Sequence, residues 1–131
     1  MNKILILGGS GFIGNKIYKE LNKFYKTFST YNISEMNNKN NHFFYFKMEE
    51  LNLKDILNKI RPSIIISCLR GDFELQVITH REIYSYVKKN NCKIIFLSSS
   101  NVFDTFRHYP SYENDKTFSE SPYGIFKIKI E

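Results

Sequence analysis

Residues 3–14 are KILILGGSGFIG, a short apolar run followed by four glycines in seven positions. A continuous apolar run that ends at glycine is typical of a strand buried on both faces of a parallel sheet. Beyond the glycines, apolar side chains recur at helical spacing, at Ile13, Ile17, Leu21 and Phe24, which predicts an amphipathic helix. The stretch therefore predicts a strand, a tight turn and a helix in immediate succession.

The spacing of the glycines predicts a site for the phosphates of a dinucleotide. Gly8, Gly11 and Gly14 are three residues apart, and such a pattern is informative where it follows a strand and opens a helix. One glycine makes the tight turn, one lets the backbone approach a pyrophosphate, and one lets the helix pack against the strand. The first helical amides, at Phe12 and Ile13, would face the phosphates. A plain strand-to-helix turn is the alternative.

The remaining apolar runs alternate between strand and helix patterns. Further strands are predicted in KTFSTYN, HFFYFKM, RPSIIISCL and CKIIFLSSS, and helices in NLKDILNKI, in ELQVITHREIYSYVKKNN and after Ser121. This alternation indicates an α/β fold, a doubly wound parallel sheet of about five strands flanked by helices. Ligands bind beyond the carboxyl ends of such strands, which places the predicted site at residues 8–14, 68–72, 98–104 and the last helix.

The same patterns assign helix faces and helix ends. In the long helix we expect the following apolar residues to face the core: Leu75, Ile78, Ile83, Tyr86 and Val87. For the last helix we expect Ser121 as the N-cap and Pro122 in the first turn.

Length and composition bound the class of protein. A chain of 131 residues, 42% of them hydrophobic, predicts one soluble globular domain over residues 1–131. No apolar run approaches the roughly 18–20 residues that cross a bilayer, and the N-terminal apolar stretch lacks the cleavage site of a signal peptide. We therefore expect a cytoplasmic protein that has no membrane partner.

Neither the cysteines nor the charges indicate another kind of site. Cys68 and Cys92 have no metal-type spacing, so we expect buried, reduced thiols and no metal. The histidines, His42, His80 and His108, also lack ligand spacing and are expected to be structural or on the surface. The net charge of +6 contains no basic block, so an anionic cofactor is a better partner than nucleic acid.

The end of the second strand bears on the choice of nucleotide. An acidic residue there would hold the ribose diol of NAD, but the stretch is STYN, with neither a carboxylate nor an arginine. Thr30 and Asn32 could bond a ribose hydroxyl or a phosphate. The missing acid favours NADP over NAD, and both remain open. Glu49, after the third strand, is expected to start a helix or to contact adenine.

Three motifs occur in a recognisable order: GGSGFIG, then SSSNVFD after the fifth strand, then YGIFK. The set resembles the extended short-chain dehydrogenase/reductase superfamily, whose cofactor domain is of the Rossmann type. Ser99 lies three residues before Val102, Tyr123 and Lys127 form Tyr-x-x-x-Lys, and Glu131 matches a closing acid. This spacing is most similar to the branch of dTDP-4-dehydrorhamnose reductase and related sugar-nucleotide reductases and epimerases.

The resemblance implies an NAD(P)-dependent reductase or epimerase of a nucleotide-linked sugar, with Ser99, Tyr123 and Lys127 as catalytic residues. Tyr123 and Lys127, at i and i+4, share one helix face. A free tyrosine is a poor acid or base at neutral pH, but a nearby lysine cation favours the phenolate, so the phenol could exchange a proton with a carbonyl oxygen. Ser99 would bond to the same oxygen. The resemblance also places Tyr123 and Lys127 at the cofactor, where the family's lysine binds the nicotinamide ribose. A surface Tyr–Lys pair is the alternative.

After the fourth strand, where the family carries a small Ala-Ala stretch against the cofactor, this chain has SCLRGD. The resemblance implies that Cys68, Leu69 and Arg70 contact the cofactor here, with bulkier side chains on the pocket floor. Arg70 could reach a phosphate or could be a solvated loop arginine.

Members of the family continue beyond the Tyr-Lys helix with another strand and helix and a region that binds the sugar nucleotide. Nothing follows Glu131 in this sequence, so we expect the C-terminal substrate region to be missing and the chain to be a truncated, cofactor-binding part. A non-catalytic NAD(P)-binding remnant, or a subunit that needs a partner chain, is the alternative. An unfinished sheet edge would also favour self-association.

Overall fold

The computed structural model describes residues 2–32, 41–50, 52–103 and 110–131. The chain divides into two compact units, residues 1–96 and 97–131, and the single domain over residues 1–131 stays a prediction. Within the described ranges, no helix combines the length and the hydrophobicity that a membrane-spanning helix requires.

A parallel sheet organises the first unit. Its strands are β1 Lys3–Leu7, β2 Lys26–Tyr31, β3 Phe43–Tyr45, β4 Ile64–Ser67 and β5 Lys93–Phe96. Among the described residues these five strands have the order β3-β2-β1-β4-β5, and all neighbours are parallel. Leu5 of β1 pairs with Phe28 of β2 and Ile65 of β4, so the switch point of the sheet lies between β1 and β4. The predicted α/β fold is confirmed.

Helices cover both faces of this sheet. They are α1 Phe12–Leu21, α2 Leu53–Ile60 and α3 Phe73–Lys89, and a 3₁₀ turn, Met48–Glu50, precedes α2. One core cluster contains Leu5 and Leu7 and includes residues of α2 and α3. The other contains Ile4 and Ile6 and includes Tyr18 of α1. Because side chains on both faces of β1 are buried, its unbroken apolar sequence is explained, and the sheet is doubly wound.

Helix α1 buries only part of the face that its apolar residues predicted: Ile17 and Leu21 pack against the core as expected. Ile13 is 55% exposed, and Phe24 lies exposed beyond the helix end. The buried positions are Gly14 and Tyr18. The reason is the close approach of the helix to the preceding turn at Gly14, which brings Tyr18, one turn later, onto the inner face.

The buried face of α3 is largely polar. Ile83 is buried and Tyr86 and Val87 pack against the core, as predicted, but Ile78 is exposed, and the other buried positions are polar: Gln76, Thr79 and His80. This face tolerates burial because Gln76 and His80 are hydrogen-bonded inside the protein. Apolar periodicity alone cannot detect such a face.

Strand β5 is more exposed than its apolar sequence predicted. Ile94 and Ile95 are both exposed, Ile95 by 49%. In the described sheet β5 is an edge strand, with β4 on one side.

The second unit contains a 3₁₀ turn, Ser100–Val102, and helix α4, Pro122–Ile130. Ser121 caps α4, because its Oγ accepts a hydrogen bond from the N–H of Gly124 at 3.0 Å, and Pro122 lies in the first turn, as predicted. The turn packs closely against α4, since a Cβ on Gly124 would overlap the carbonyl oxygen of Asn101.

Candidate functional site

The turn between β1 and α1 has no room for a side chain at Gly8. Gly8 has a φ of +79°, which glycine adopts without strain, and a Cβ there would lie 2.7 Å from the carbonyl oxygen of Cys68. The N–H of Gly8 donates to Oγ1 of Thr30 at 2.9 Å, and the N–H of Gly11 donates to the carbonyl oxygen of Gly8 at 3.0 Å. The loop after β4 and strand β2 therefore hold this turn from two sides.

Helix α1 starts directly against the turn. A Cβ on Gly14 would overlap the carbonyl oxygen of Gly8 and lie 2.8 Å from the Cα of Gly9. The helix can approach this closely only with glycine at that position.

The first turn of α1 offers backbone donors. The hydrogen-bond ladder of the helix begins with the N–H of Asn15, which donates to the carbonyl oxygen of Gly11 at 2.9 Å. The preceding amides, among them those of Phe12 and Ile13, have no acceptor within the helix, and Gly11 has no side chain to cap them. These donors are where the sequence predicted phosphate binding.

A cavity of about 260 Å³ opens beside the turn in the first unit. Its walls come from the carboxyl ends of β1 to β4, the edge at which the sequence placed the ligand. The lining residues are Gly8, Ser10, Gly11, Thr30, Tyr31, Asn32, Phe46, Met48, Glu49 and residues 68–72. Small-molecule sites measure roughly 300–1,000 Å³, so this volume suits part of a dinucleotide rather than the whole.

Most residues predicted to bind the cofactor line this cavity: Gly8, Gly11, Asn32, Cys68, Leu69 and Arg70. Phe12, Ile13 and Gly14 follow in α1 and are not part of the lining. Gly14 has a packing role, and the predicted contacts of Phe12 and Ile13 would be made by their backbone amides.

One wall of the cavity was not predicted from the sequence, and Thr30 has a different role from the predicted one. Phe46 and Met48 follow β3, which ends at the same edge as its parallel neighbour β2. The available signal was their position directly after a predicted strand. Thr30 does not offer its hydroxyl to a ribose, because it is 1% exposed and its Oγ1 accepts the N–H of Gly8. It braces the turn instead.

The charges in the cavity are unevenly placed. Among the described lining residues Arg70 is the only lysine or arginine, and Glu49 lines the cavity from the segment after β3. Asp72 is engaged in capping α3, since its side chain accepts the N–H of Leu75 at 2.9 Å. Burial raises the pKa of the Cys68 thiol, which keeps it neutral at physiological pH.

The predicted catalytic residues lie in the second unit. Tyr123 and Lys127 are one turn apart on α4, and Nζ of Lys127 is 5.4 Å from the centroid of the Tyr123 ring. Ser99 directly precedes the 3₁₀ turn that packs against α4, and its Oγ accepts the N–H of Asn101 at 3.2 Å. The structure thus brings Tyr123 and Lys127 together and places Ser99 beside the neighbouring turn.

Lys127 is held in a sheltered position. It is 6% exposed, and its Nζ donates a hydrogen bond to the carbonyl oxygen of Leu97 at 2.8 Å. Burial lowers the pKa of its ammonium, and the carboxylate of Glu131 acts in the opposite direction. Glu131 in turn accepts a hydrogen bond from Oγ of Ser98. The side chain of Tyr123 stays partly open to solvent.

The described part of the chain contains no group of three or more His, Cys, Asp or Glu side chains arranged to hold a metal ion. The ring of His42 packs near that of Phe28, with centroids 5.0 Å apart, and His80 is buried and bonded to Ser67. His108 lies outside the described residues.

A sequence model of the NAD dependent epimerase/dehydratase family matches residues 4–131. The chain belongs to this family. The resemblance to the extended short-chain dehydrogenase/reductase superfamily is thereby confirmed at the family level. No curated protein sequence matches the chain significantly.

Solved structures of enzymes share the fold. The dTDP-glucose 4,6-dehydratase of Bacillus anthracis, in complex with NAD, is 17% identical with a TM-score of 0.79, and the match covers 99% of this chain and 48% of that one. L-threonine 3-dehydrogenase of Trypanosoma brucei is 14% identical with a TM-score of 0.83, and the match covers 100% of this chain and 47% of that one. UDP-N-acetylglucosamine 4-epimerase of Methanobrevibacter ruminantium is 23% identical with a TM-score of 0.76, and the match covers 99% of this chain and 48% of that one. At these identities the matches show the fold alone, and the chain spans about half the length of these proteins.

Proposed function

We propose that the chain binds NAD or NADP, with the pyrophosphate at the start of α1 and the adenosine side in the cavity. The observation that carries the proposal is the turn at Gly8 and Gly14, where a Cβ at either residue would collide with backbone. A helix N-terminus also favours an anion, through its free amides and its dipole. A plain strand-to-helix turn does not require glycine at both positions. The residues present therefore fit a dinucleotide.

We further propose that NADP is preferred. Asn32, at the end of β2, is exposed and uncharged, so the position that would bear the NAD-selecting acid does not repel a 2′-phosphate. Arg70, in the lining, offers a guanidinium that suits a phosphate. Glu49, which lines the cavity in the segment after β3, opposes this preference, because its carboxylate would repel a 2′-phosphate. Comparison of the affinities for NADH and NADPH measures whether the attraction of Arg70 or the repulsion of Glu49 is larger.

For the reaction, we propose reduction or epimerisation of a nucleotide-linked sugar, as in dTDP-4-dehydrorhamnose reductase. A bound nicotinamide cofactor would supply or accept the hydride. Tyr123 would exchange a proton with the reacting oxygen of the sugar, and Oγ of Ser99 would hydrogen-bond to that oxygen. The ammonium of Lys127 lies 5.4 Å from the centroid of the Tyr123 ring and would bind the nicotinamide ribose, as the resemblance implies. Its bond to the carbonyl of Leu97 holds the ammonium in place.

The substrate class has two supports. The family is one of epimerases and dehydratases, and a dehydratase and an epimerase of sugar nucleotides share the fold, although an L-threonine dehydrogenase does so as well. The second support is the spacing of Ser99, Tyr123 and Lys127, which is most similar to the branch of dTDP-4-dehydrorhamnose reductase and related sugar-nucleotide reductases and epimerases.

A second candidate is a non-catalytic NAD(P)-binding subunit that needs a partner chain. One observation favours it: Ile94 and Ile95 are exposed on the edge strand β5. An apolar edge strand promotes association with a second copy or another chain. For either candidate we propose a cytoplasmic location.

Titration of the purified chain with NADH and with NADPH, followed by nicotinamide fluorescence, tests the binding proposal. Saturable binding of at least one is expected, and its absence for both would refute the proposal.

Turnover of a dTDP-4-keto sugar tests the catalytic proposal. Tyr123→Phe is expected to lower turnover by about 10²–10⁴-fold and to leave cofactor affinity unchanged. Tyr112→Phe, at an exposed tyrosine of the same unit, is the control and should alter neither. Cofactor binding without turnover, even at high protein concentration, would favour the subunit. Equal turnover in Tyr123→Phe and the parent chain would exclude Tyr123 as the acid or base.

A further inference from the structure

Three buried polar side chains flank the loop of residues 68–72 along the chain and are not part of the cavity lining. Ser67 ends β4, and Gln76 and His80 lie on α3, and they are 2%, 3% and 6% exposed. Buried polar groups are normally hydrogen-bonded. The bonds of these three residues connect α3 to both ends of the loop.

His80 anchors the first end. Its Nδ1 is 2.6 Å from the carbonyl oxygen of Gln76, and its Nε2 is 2.8 Å from Oγ of Ser67. A carbonyl oxygen can only accept, so Nδ1 carries a proton, and in the neutral imidazole Nε2 accepts the hydroxyl proton of Ser67. The ring of Phe96 packs against the imidazole in a T-shaped geometry, with centroids 5.0 Å apart. The residue just before Cys68 is therefore tied to α3.

Gln76 anchors the second end. Its Nε2 donates to the carbonyl oxygen of Gly71 at 3.0 Å. Gly71 has a φ of +115°, a conformation that is available to glycine and strained for other residues, and the chain bends there before it enters α3. Residues 68–70, which line the cavity, lie between the two anchors.

The position of this loop also matters to the glycine turn. The carbonyl oxygen of Cys68 lies so close to Gly8 that a Cβ on Gly8 would come within 2.7 Å of it. The loop also contributes Arg70 to the cavity. A small displacement of the loop would press on the turn or move Arg70 and widen the cavity.

We propose that Gln76 and His80 are positioning residues for dinucleotide binding, which clamp the loop of residues 68–72 through Gly71 and Ser67. The inference rests on the proposed binding of NAD or NADP and deepens it. Both residues act indirectly, because they keep the loop in its binding geometry in the free protein. Loss of either anchor lowers the fraction of binding-competent molecules and, with it, the apparent affinity.

The test compares His80→Leu with His80→Gln, whose side-chain oxygen can still accept a bond from Ser67. In fluorescence titrations with NADH and NADPH, His80→Leu is expected to weaken binding by about five- to tenfold, the effect of one lost buried hydrogen bond, and His80→Gln to restore most of the affinity. Gln76→Leu removes the other anchor and is expected to weaken binding similarly. Thr79→Val, a buried change on the same helix face, is the matched control and should bind like the parent chain.

Thermal unfolding of the same variants separates positioning from general destabilisation. An affinity of His80→Leu equal to that of the parent chain, or a loss that His80→Gln does not relieve, would overturn the proposal. A loss of affinity in Thr79→Val in proportion to its loss of stability would do so too, because the effect would then be non-specific.

Nitrogen-15 spectroscopy of the imidazoles gives a readout that needs no ligand. The Nδ1–H tautomer is expected for His80, with its signals assigned by their disappearance in His80→Gln, and the Nε2–H tautomer would contradict the clamp. This measurement distinguishes the two possible failures. If the proposed function fails, the parent chain binds neither dinucleotide although the His80 tautomer is as expected.

Discussion

Replacement of Gly14 by alanine places a methyl group against backbone atoms that cannot rotate away. The added Cβ would overlap the carbonyl oxygen of Gly8 and lie 2.8 Å from the Cα of Gly9. Neither atom belongs to a flexible side chain. Helix α1 must therefore move away from the turn, and its N-terminal amides move with it.

The size of the effect follows from this displacement. Overpacking costs about 1–3 kcal/mol, and because both clashing atoms are backbone we expect about 2–3 kcal/mol here. Replacing a glycine in a helix offsets about 1 kcal/mol of that cost, so about 1–2 kcal/mol of net destabilisation remains. For a chain of this length, 1 kcal/mol corresponds to about 3–5 °C in melting temperature. We expect Gly14→Ala to lower the melting temperature by about 3–10 °C and to weaken dinucleotide binding at least about tenfold, since the amides of Phe12 and Ile13 leave their positions.

Gly11→Ala is the matched comparison. Gly11 has a φ of −75°, which alanine adopts readily, and a Cβ there would lie 3.3 Å from the carbonyl oxygen of Gly8, a contact that small shifts relieve. Its stability should stay within about 1 kcal/mol of the parent chain. Its dinucleotide affinity should nevertheless fall, because the methyl group enters the cavity. Circular dichroism melting and nicotinamide fluorescence measure the two effects separately.

Two results would refute this reasoning. If Gly14→Ala melted and bound like the parent chain, α1 would not rest against the turn as the structure shows. If Gly11→Ala bound the dinucleotide with unchanged affinity, the pyrophosphate would not lie at this turn.

Thr30→Val removes the acceptor of the Gly8 N–H at constant shape and is expected to cost about 1–3 kcal/mol of stability and to weaken dinucleotide binding. Thr27→Val, equally buried in β2, should affect stability alone in the same melting and titration experiments. Asn32→Asp adds a carboxylate at the end of β2 and is expected to shift the ratio of NADH to NADPH affinities about tenfold toward NADH, or about 1.4 kcal/mol. Burial lowers the pKa of Lys127, so the unfolded chain binds this proton more tightly than the folded chain does. The contribution of Lys127 to stability therefore rises with pH between the lowered pKa and the unfolded value of about 10.4. Denaturant titrations should show that the stability of the parent chain relative to Lys127→Met increases over that interval.

Each of these expectations has a contradicting outcome. Unchanged affinity in Thr30→Val would mean that the turn keeps its binding geometry without this brace. An unchanged ratio of NADH to NADPH affinities in Asn32→Asp would show that the end of β2 does not contact the ribose. Parallel pH curves for the parent chain and Lys127→Met would show that Lys127 titrates alike in the folded and unfolded states. The difference in stability between the parent chain and Lys127→Met is measured because it cancels the contributions of the thiols and Tyr86, which also titrate at alkaline pH.

The sheet was predictable because its signals are local. The apolar run of β1 and the glycines behind it specify a buried strand, a turn and a helix within twelve residues. The cap at Ser121 and the proline beside it specify the start of α4 in the same way. Such features depend on residues that are adjacent in the sequence, so they can be identified from the sequence alone.

The polar face of α3 was not predictable, because it depends on residues that meet only in the folded chain. Ser67 and His80 are 13 residues apart and hydrogen-bonded, so both can be buried. Thr30 illustrates the same limit at the candidate site. Its partner, Gly8, lies on the neighbouring strand's turn, 22 residues away, and the sequence shows only a polar residue where a ribose ligand was expected.

The most direct test of the account is an amide chemical-shift titration of the ¹⁵N-labelled chain with NADH and NADPH. Dinucleotide binding at the glycine turn predicts saturable shifts that are concentrated at residues 8–14, Asn32 and residues 68–72, with little change along the exposed edge strand β5. Saturating dinucleotide that left these amides unmoved, or shifted another part of the chain instead, would contradict it.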